Sequence, residues 1–103
     1  MAEVDDVLTA LADPTRRKLL DVVAVRGSVS ASALAEEFPV SRQAIVKHLA
    51  VLERAGLVVA RKAGREVRFA VRSEPLDATA AWMARLASEW DGRLAAIKRI
   101  AES

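Results

Sequence analysis

Arg42, Gln43, Val46 and Lys47 are spaced so that a helix would gather them on one side of its surface, over two successive turns. These residue types read nucleobase edges. An Arg fork fits O6 and N7 of guanine, a Gln carboxamide fits N6 and N7 of adenine, and an apolar side chain touches the methyl group of thymine. Ala44, between them, is small enough to permit close approach. The four are expected to face base edges in a groove of duplex DNA. Ser41, just before them, is expected to cap the helix, to bind phosphate, or both.

A second basic group follows. Arg61, Lys62, Arg65 and Arg68 surround an Ala63-Gly64 turn, and their expected partners are phosphates or the minor groove. Residues 41–72 hold eight basic side chains against two acidic ones, while the remainder holds eight against twelve. The whole-chain net charge of +2 hides this segregation, which is the footprint of a polyanionic partner. Arg16, Arg17 and Lys18 form a third basic group at the start of a helix, where positive charge opposes the helix dipole. Arg16 and Arg17 are expected either to meet DNA phosphate or to form a solvated trio with local acidic partners.

Other chemistries are excluded by what is missing. The chain has no Cys, no Tyr and one His, which excludes disulfides and thiolate metal sites and leaves little for a catalytic centre. No glycine-rich phosphate loop occurs and no Ser/His/Asp set can be placed. The expectation is no catalytic residue, no metal and no cofactor. No apolar run approaches the ~18 residues of a membrane span, and the acidic start Met1-Ala2-Glu3-Val4-Asp5-Asp6 lacks an apolar signal segment. Together with the absence of Cys, this fits a cytoplasmic protein.

The elements that must position these groups are legible in periodicity and caps. Val4, Val7, Leu8 and Leu11 predict a first helix over about 3–12. Asp13-Pro14 predicts a cap and first turn for a second helix, which ends near Gly27 and buries Leu19, Leu20 and Val23. Ser30 caps a third helix to about Glu37, burying Leu34 and Ala35, and Phe38-Pro39-Val40 forms a turn. The helix after Ser41 runs to about Ala55, buries Ile45, Leu49 and Leu52, and stops at Gly56. Leu57 to Lys62 and Arg65 to Arg72 read as two strands, with Val67, Phe69 and Val71 inward and Arg68, Ala70 and Arg72 outward. A last helix spans about 75–101. The expected fold is mainly α with a small β-hairpin, in the order α-α-α-α-β-β-α, as one domain over 1–103.

Read together, the chain resembles the winged helix-turn-helix repressors of the ArsR/SmtB family. The resemblance is carried by Ala12-Asp13-Pro14-Thr15-Arg16, by Ser41 through Leu49, by Leu52-Glu53-Arg54-Ala55-Gly56-Leu57-Val58 and by the basic Arg61–Arg72 hairpin. The tail from Trp82 through Leu94 is similar to the family's cysteine-free, non-metal branch of autorepressors. The resemblance implies repression by occluding a promoter. Two departures stand out. Pro39 sits where many such turns place Gly, and it forbids positive φ. Ser30 and Ser32 stand where the family's thiolate sensors carry Cys-x-Cys, and the last helix has no His. His48 is read as a groove-edge or packing residue.

One reading helix spans few base pairs, so an inverted repeat and a two-fold homodimer are expected. Trp82, Met83, Leu86, Trp90, Leu94, Ile97 and Ile100 form an apolar stripe on a helix too long to bury against so small a body. The expected interface is that stripe with Val4, Val7, Leu8 and Leu11 alongside; the other reading folds Trp82 and Trp90 back onto their own domain. A small apolar effector between the last helices is left open. The rival function is a protein-interaction module of the same fold that has lost DNA binding.

Overall fold

The computed structural model describes residues 2–102, and its elements follow the caps. Helix α1 is Ala2–Leu11, α2 is Pro14–Arg26, a two-residue strand β1 is Val29–Ser30, α3 is Ala31–Ala35 and α4 is Arg42–Arg54. Strands β2, Val58–Ala63, and β3, Glu66–Val71, precede α5, Glu74–Glu102. Asp13 caps α2 by accepting the Thr15 and Arg16 amides at 2.8 and 3.2 Å. Ser30 and Ser41 cap α3 and α4 through the amides of Ala33 and Ala44. Each cap satisfies donors that a helix start otherwise leaves bare.

Helix α4 ends where the sequence turns left-handed. Gly56 has φ +76°, its amide donates to Glu53 and the Leu57 amide donates to Leu52 at 2.9 Å. This is a Schellman closure, and its accompanying apolar pair, Leu52 and Leu57, is fully buried. A Cβ at Gly56 would also meet Pro75 Cγ at 3.3 Å.

One apolar cluster holds the helices and sheet together. Val7, Leu19, Val23, Leu34, Ile45, Leu49, Leu52 and Leu57 are among its fully buried members, with Phe69, Val71 and Leu76 packed at its edge. An ion pair between Arg26 and Glu37 ties the end of α2 to the segment after α3.

The sheet corrects the expectation of a bare hairpin. It has three antiparallel strands in the order β1-β3-β2, with Val29 opposite Phe69 and Ser30 opposite Arg68. Strands β2 and β3 pair from Val58↔Val71 to Ala63↔Glu66. The turn is therefore Gly64-Arg65 and not Ala63-Gly64. Gly64 has φ +64° and Arg65 does not share it, the Gly-first signature of a type II′ hairpin. Val67, expected inward, is half exposed because the hairpin tip overhangs the core. Helix α3 is shorter than expected and ends at Ala35, which is only partly buried. Helices α1, α4 and α5 are displaced by about a residue at their ends from the expected bounds.

Helix α5 is rooted at its first turns, where Pro75 and Thr79 are buried and the Thr79 hydroxyl donates to the Pro75 carbonyl. Beyond Trp82, which is half-buried, its apolar stripe lies open: Trp90 is 52% exposed and Ile97 61%. The molecule measures 69 × 25 × 22 Å with a radius of gyration of 18.3 Å, against about 13 Å for a compact chain of this length. The excess is this projecting helix.

Val4 and Val7 correct another expectation. Both are buried inside their own chain, where α1 packs on α2, α4 and α5, so they present no surface to a partner. The periodicity marked the apolar face of α1 but not what covers it. Leu11 is partly buried at the edge of the same cluster, and Leu8 remains exposed.

Candidate nucleic-acid interface

The Ser41 cap fixes where α4 starts, and burial of Ile45, Leu49 and Leu52 fixes its rotation. Those two constraints leave Arg42, Gln43, Val46 and Lys47 exposed together on the opposite side, over the N-terminal half of the helix. Ala44, partly buried, adds no bulk between them. His48 is half-buried on the flank of α4 and is close enough to Asp13 to act on its carboxylate.

The II′ turn places Arg65 at the tip of the hairpin, with Arg61 and Lys62 on the adjoining strand. All three are exposed, and none of their side chains makes a hydrogen bond or ion pair among the described residues. An open cleft separates the hairpin tip from α4. Arg42 and Val46 line it from the helix, Arg65, Val67 and Phe69 from the hairpin, and Ser30 and Ser32 from the segment between them. The fold thus brings Arg42 of one basic group and Arg65 of the other to the two sides of one concavity. Glu66 is the one carboxylate lining that cleft, and it pairs with Arg68 at 3.1 Å.

Arg68 departs from the outward-facing cation expected. Its Nε donates to Ser28 Oγ at 3.0 Å, its Nη2 to the Ser28 carbonyl at 2.7 Å and its Nη1 to Glu66. A guanidinium has five N–H donors, so most of this one is committed to clipping β3 onto the segment before β1. Arg61 lies directly opposite Arg68 in the ladder, where like charges repel, and the Ser28 clip draws Arg68 away. Ser28 was not singled out from sequence, because only the pairing of β1 with β3 brings it there.

Arg16 and Arg17 likewise have partners inside the chain. Arg16 Nε donates to the Ala10 carbonyl at 2.7 Å and its Nη2 to the Thr9 carbonyl at 3.0 Å. Arg17 Nη1 donates to the Leu11 carbonyl at 2.6 Å. They satisfy the bare carbonyls and negative dipole end of α1. The same corner holds Asp13 below the ordinary carboxylate range. The hydrogen bond from the Arg16 amide is the main cause, with smaller contributions from the Thr15 amide and from the charges of Arg16 and His48. The dipole conflict noted at the start of α2 is thus relieved by the end of α1. No phosphate is needed to explain it, and Asp13, 3.8 Å from Arg16 Nη1, is one of the local acidic partners expected of the basic trio.

Among the described residues, no group of three or more His, Cys, Asp or Glu side chains could hold a metal ion, and no helix is long and apolar enough to cross a membrane.

Comparison with known proteins agrees with this geometry. A family model described as a helix-turn-helix domain matches residues 11–61, from the end of α1 into β2. The chain is 30% identical over 91 residues to the transcriptional repressor SdpR of Bacillus subtilis, covering 88% of this chain and all of that protein. It is 37% identical over 78 residues to YuzN, an HTH-type transcriptional regulator of the same organism, covering 70% of this chain and 85% of YuzN. Among solved structures it is similar to an ArsR-like transcriptional regulator from Rhodococcus sp. RHA1. That match has a TM-score of 0.87 and 50% identity and covers 99% of this chain and 95% of the other.

Proposed function

The chain belongs to the ArsR-type winged helix-turn-helix transcriptional regulators, and from that premise we propose that it acts as a repressor that binds an inverted-repeat operator as a homodimer and needs no metal. It is a DNA-binding regulator and not an enzyme, as its relatives are. In the proposed complex α4 enters the major groove. Arg42, Gln43, Val46 and Lys47 read bases, with Ser41 near a phosphate. Arg61, Lys62 and Arg65 hold the flanking backbone, while Arg68 contributes mainly by fixing the hairpin.

The observation that carries the reading is the shared cleft, where the unpaired Arg65 at the hairpin tip faces Arg42 and Val46 of the exposed Arg/Gln/Val/Lys quartet. An interaction module would have no use for that pairing of base-reading side chains with phosphate-binding ones.

The dimer reading rests on α5. Met83, Trp90, Leu94 and Ile97 expose an apolar stripe along a helix that leaves its own body, and Leu8 of α1 is exposed as well. A second copy related by a two-fold axis covers such a stripe with its own equivalent, and the Trp rings suit interface anchors. The single domain is read as residues 1–103, with α1 and α5 as its dimerisation helices. The reading without metal rests on the donor set, since the chain offers no thiolate and one imidazole. A cytoplasmic location follows from a partner of this kind.

Selection of bound duplexes from a random pool tests the proposal. The expected product is an inverted repeat whose half-site centres lie about 34 Å, or a multiple of that, apart. A pool that yields no enriched sequence, or a single unpaired half-site, overturns it.

A further inference from the structure

We propose that Ser32 is a positioning residue for base reading by Arg42, presenting the outer edge of the guanidinium to a guanine. The inference rests on the reading of Arg42 as a base contact. Arg42 Nε donates to Ser32 Oγ at 3.0 Å, across ten residues of chain. Ser30, two residues earlier, uses its hydroxyl to cap α3, so the Ser32 hydroxyl is left for the arginine. Both side chains line the cleft between α4 and the hairpin.

Three features give this contact a functional shape. First, it occupies Nε and leaves the Nη1/Nη2 edge, the edge that forks onto O6 and N7 of guanine. Second, the tethering group is a neutral hydroxyl. Arg42 makes no ion pair among the described residues, so its charge remains available to the duplex. Arg68 is the contrast, held by a serine and also neutralised by Glu66. Third, Arg42 is the first residue of α4, where a cation is disfavoured by the helix dipole and would otherwise swing freely in solvent. Fixing a long side chain before binding removes ordering entropy from the binding step.

The test substitutes each base pair of the selected operator in turn and measures competition against wild type, Arg42→Ala, Ser32→Ala and Ser32→Thr, with a thermal melt of each. Arg42→Ala should erase the preference at one guanine per half-site, about tenfold or more. Ser32→Ala should weaken that same preference roughly three- to tenfold, leaving the other positions, the salt dependence and the melt unchanged. Ser32→Thr, which keeps a hydroxyl, should restore it. If Ser32→Ala keeps the full preference at the base that Arg42→Ala affects, the positioning role is overturned while the base contact stands. A Ser32→Ala loss spread evenly over all positions, with a lower melt, likewise overturns it in favour of a structural role. If Arg42→Ala leaves every preference intact, the base contact fails and the positioning role fails with it.

Discussion

Two basic groups in this molecule look alike in sequence and differ in what the fold does with them. Arg16 and Arg17 open α2, and Arg42 and Lys47 lie in the first half of α4; Arg16, Arg17 and Arg42 place positive charge in a first turn, where the helix dipole disfavours it. In the first, the guanidiniums turn back onto the carbonyls ending α1 and are consumed there. In the second, the one contact is a serine hydroxyl, and Lys47 makes none among the described residues. Residue type therefore says where a cation is needed. Only the neighbouring backbone decides whether the need is internal.

Charge reversal is the sharpest way to break this comparison. Arg42→Glu with Lys47→Glu should lower operator affinity by more than about a hundredfold, while sedimentation and melting stay at wild-type values. Loss of dimer or fold in that variant would place these side chains in the wrong group. Next in size is the hairpin. Replacing Arg61, Lys62 and Arg65 with Gln removes up to six phosphate contacts per dimer, so the slope of log K against log salt should flatten by up to ~5, measured by titration at several salt concentrations. An unchanged slope would mean that the tip stays clear of the backbone.

The α1–α2 corner should answer in stability. Arg16→Ala removes two bonds to α1 carbonyls from a mostly buried side chain and should cost about 1–3 kcal/mol in denaturant unfolding. A variant of native stability that binds DNA weakly would move Arg16 to the phosphate-contact group. The smallest effect is expected at Asp13. Its carboxyl ionises below its ordinary value in the folded chain. The charge therefore stabilises fully above the unfolded carboxyl's range, and that stabilisation fades as pH falls through the folded value. Wild type should melt above Asp13→Asn at neutral pH, with the gap closing below about pH 4. A gap independent of pH would show that the charge at this corner is idle.

Much of the frame was legible because it depends on neighbours in sequence. Asp13, Ser30 and Ser41 cap helices through amides two or three residues ahead, and Gly56 closes α4 through residues just behind it. The strand β1 was not legible, since a pair such as Val29 with Phe69 is set by chain separated by some forty residues, and a two-residue strand leaves no periodic trace. The clip from Arg68 to Ser28 depends on that same long-range pairing, and the tether from Arg42 to Ser32 depends on how α3 packs against α4. Val4 and Val7 fail for a related reason: a helical stripe announces an apolar face, and its covering is a tertiary fact. The hairpin turn slipped by one residue because Gly permits either frame. The observed one puts Gly first, as type II′ requires.

The protruding final helix behaves mechanically as a cantilever, clamped near Pro75 and Thr79 and unsupported over most of its length. At about 43 Å, a pivot of some five degrees at the clamp sweeps the far end by about 4 Å. In the proposed dimer, joined by these tails, the separation of the two reading helices would therefore be tuned by distant side chains such as Leu94 and Ile97. Operator spacing and base preference then sit on different parts of the chain, and each can drift without disturbing the other.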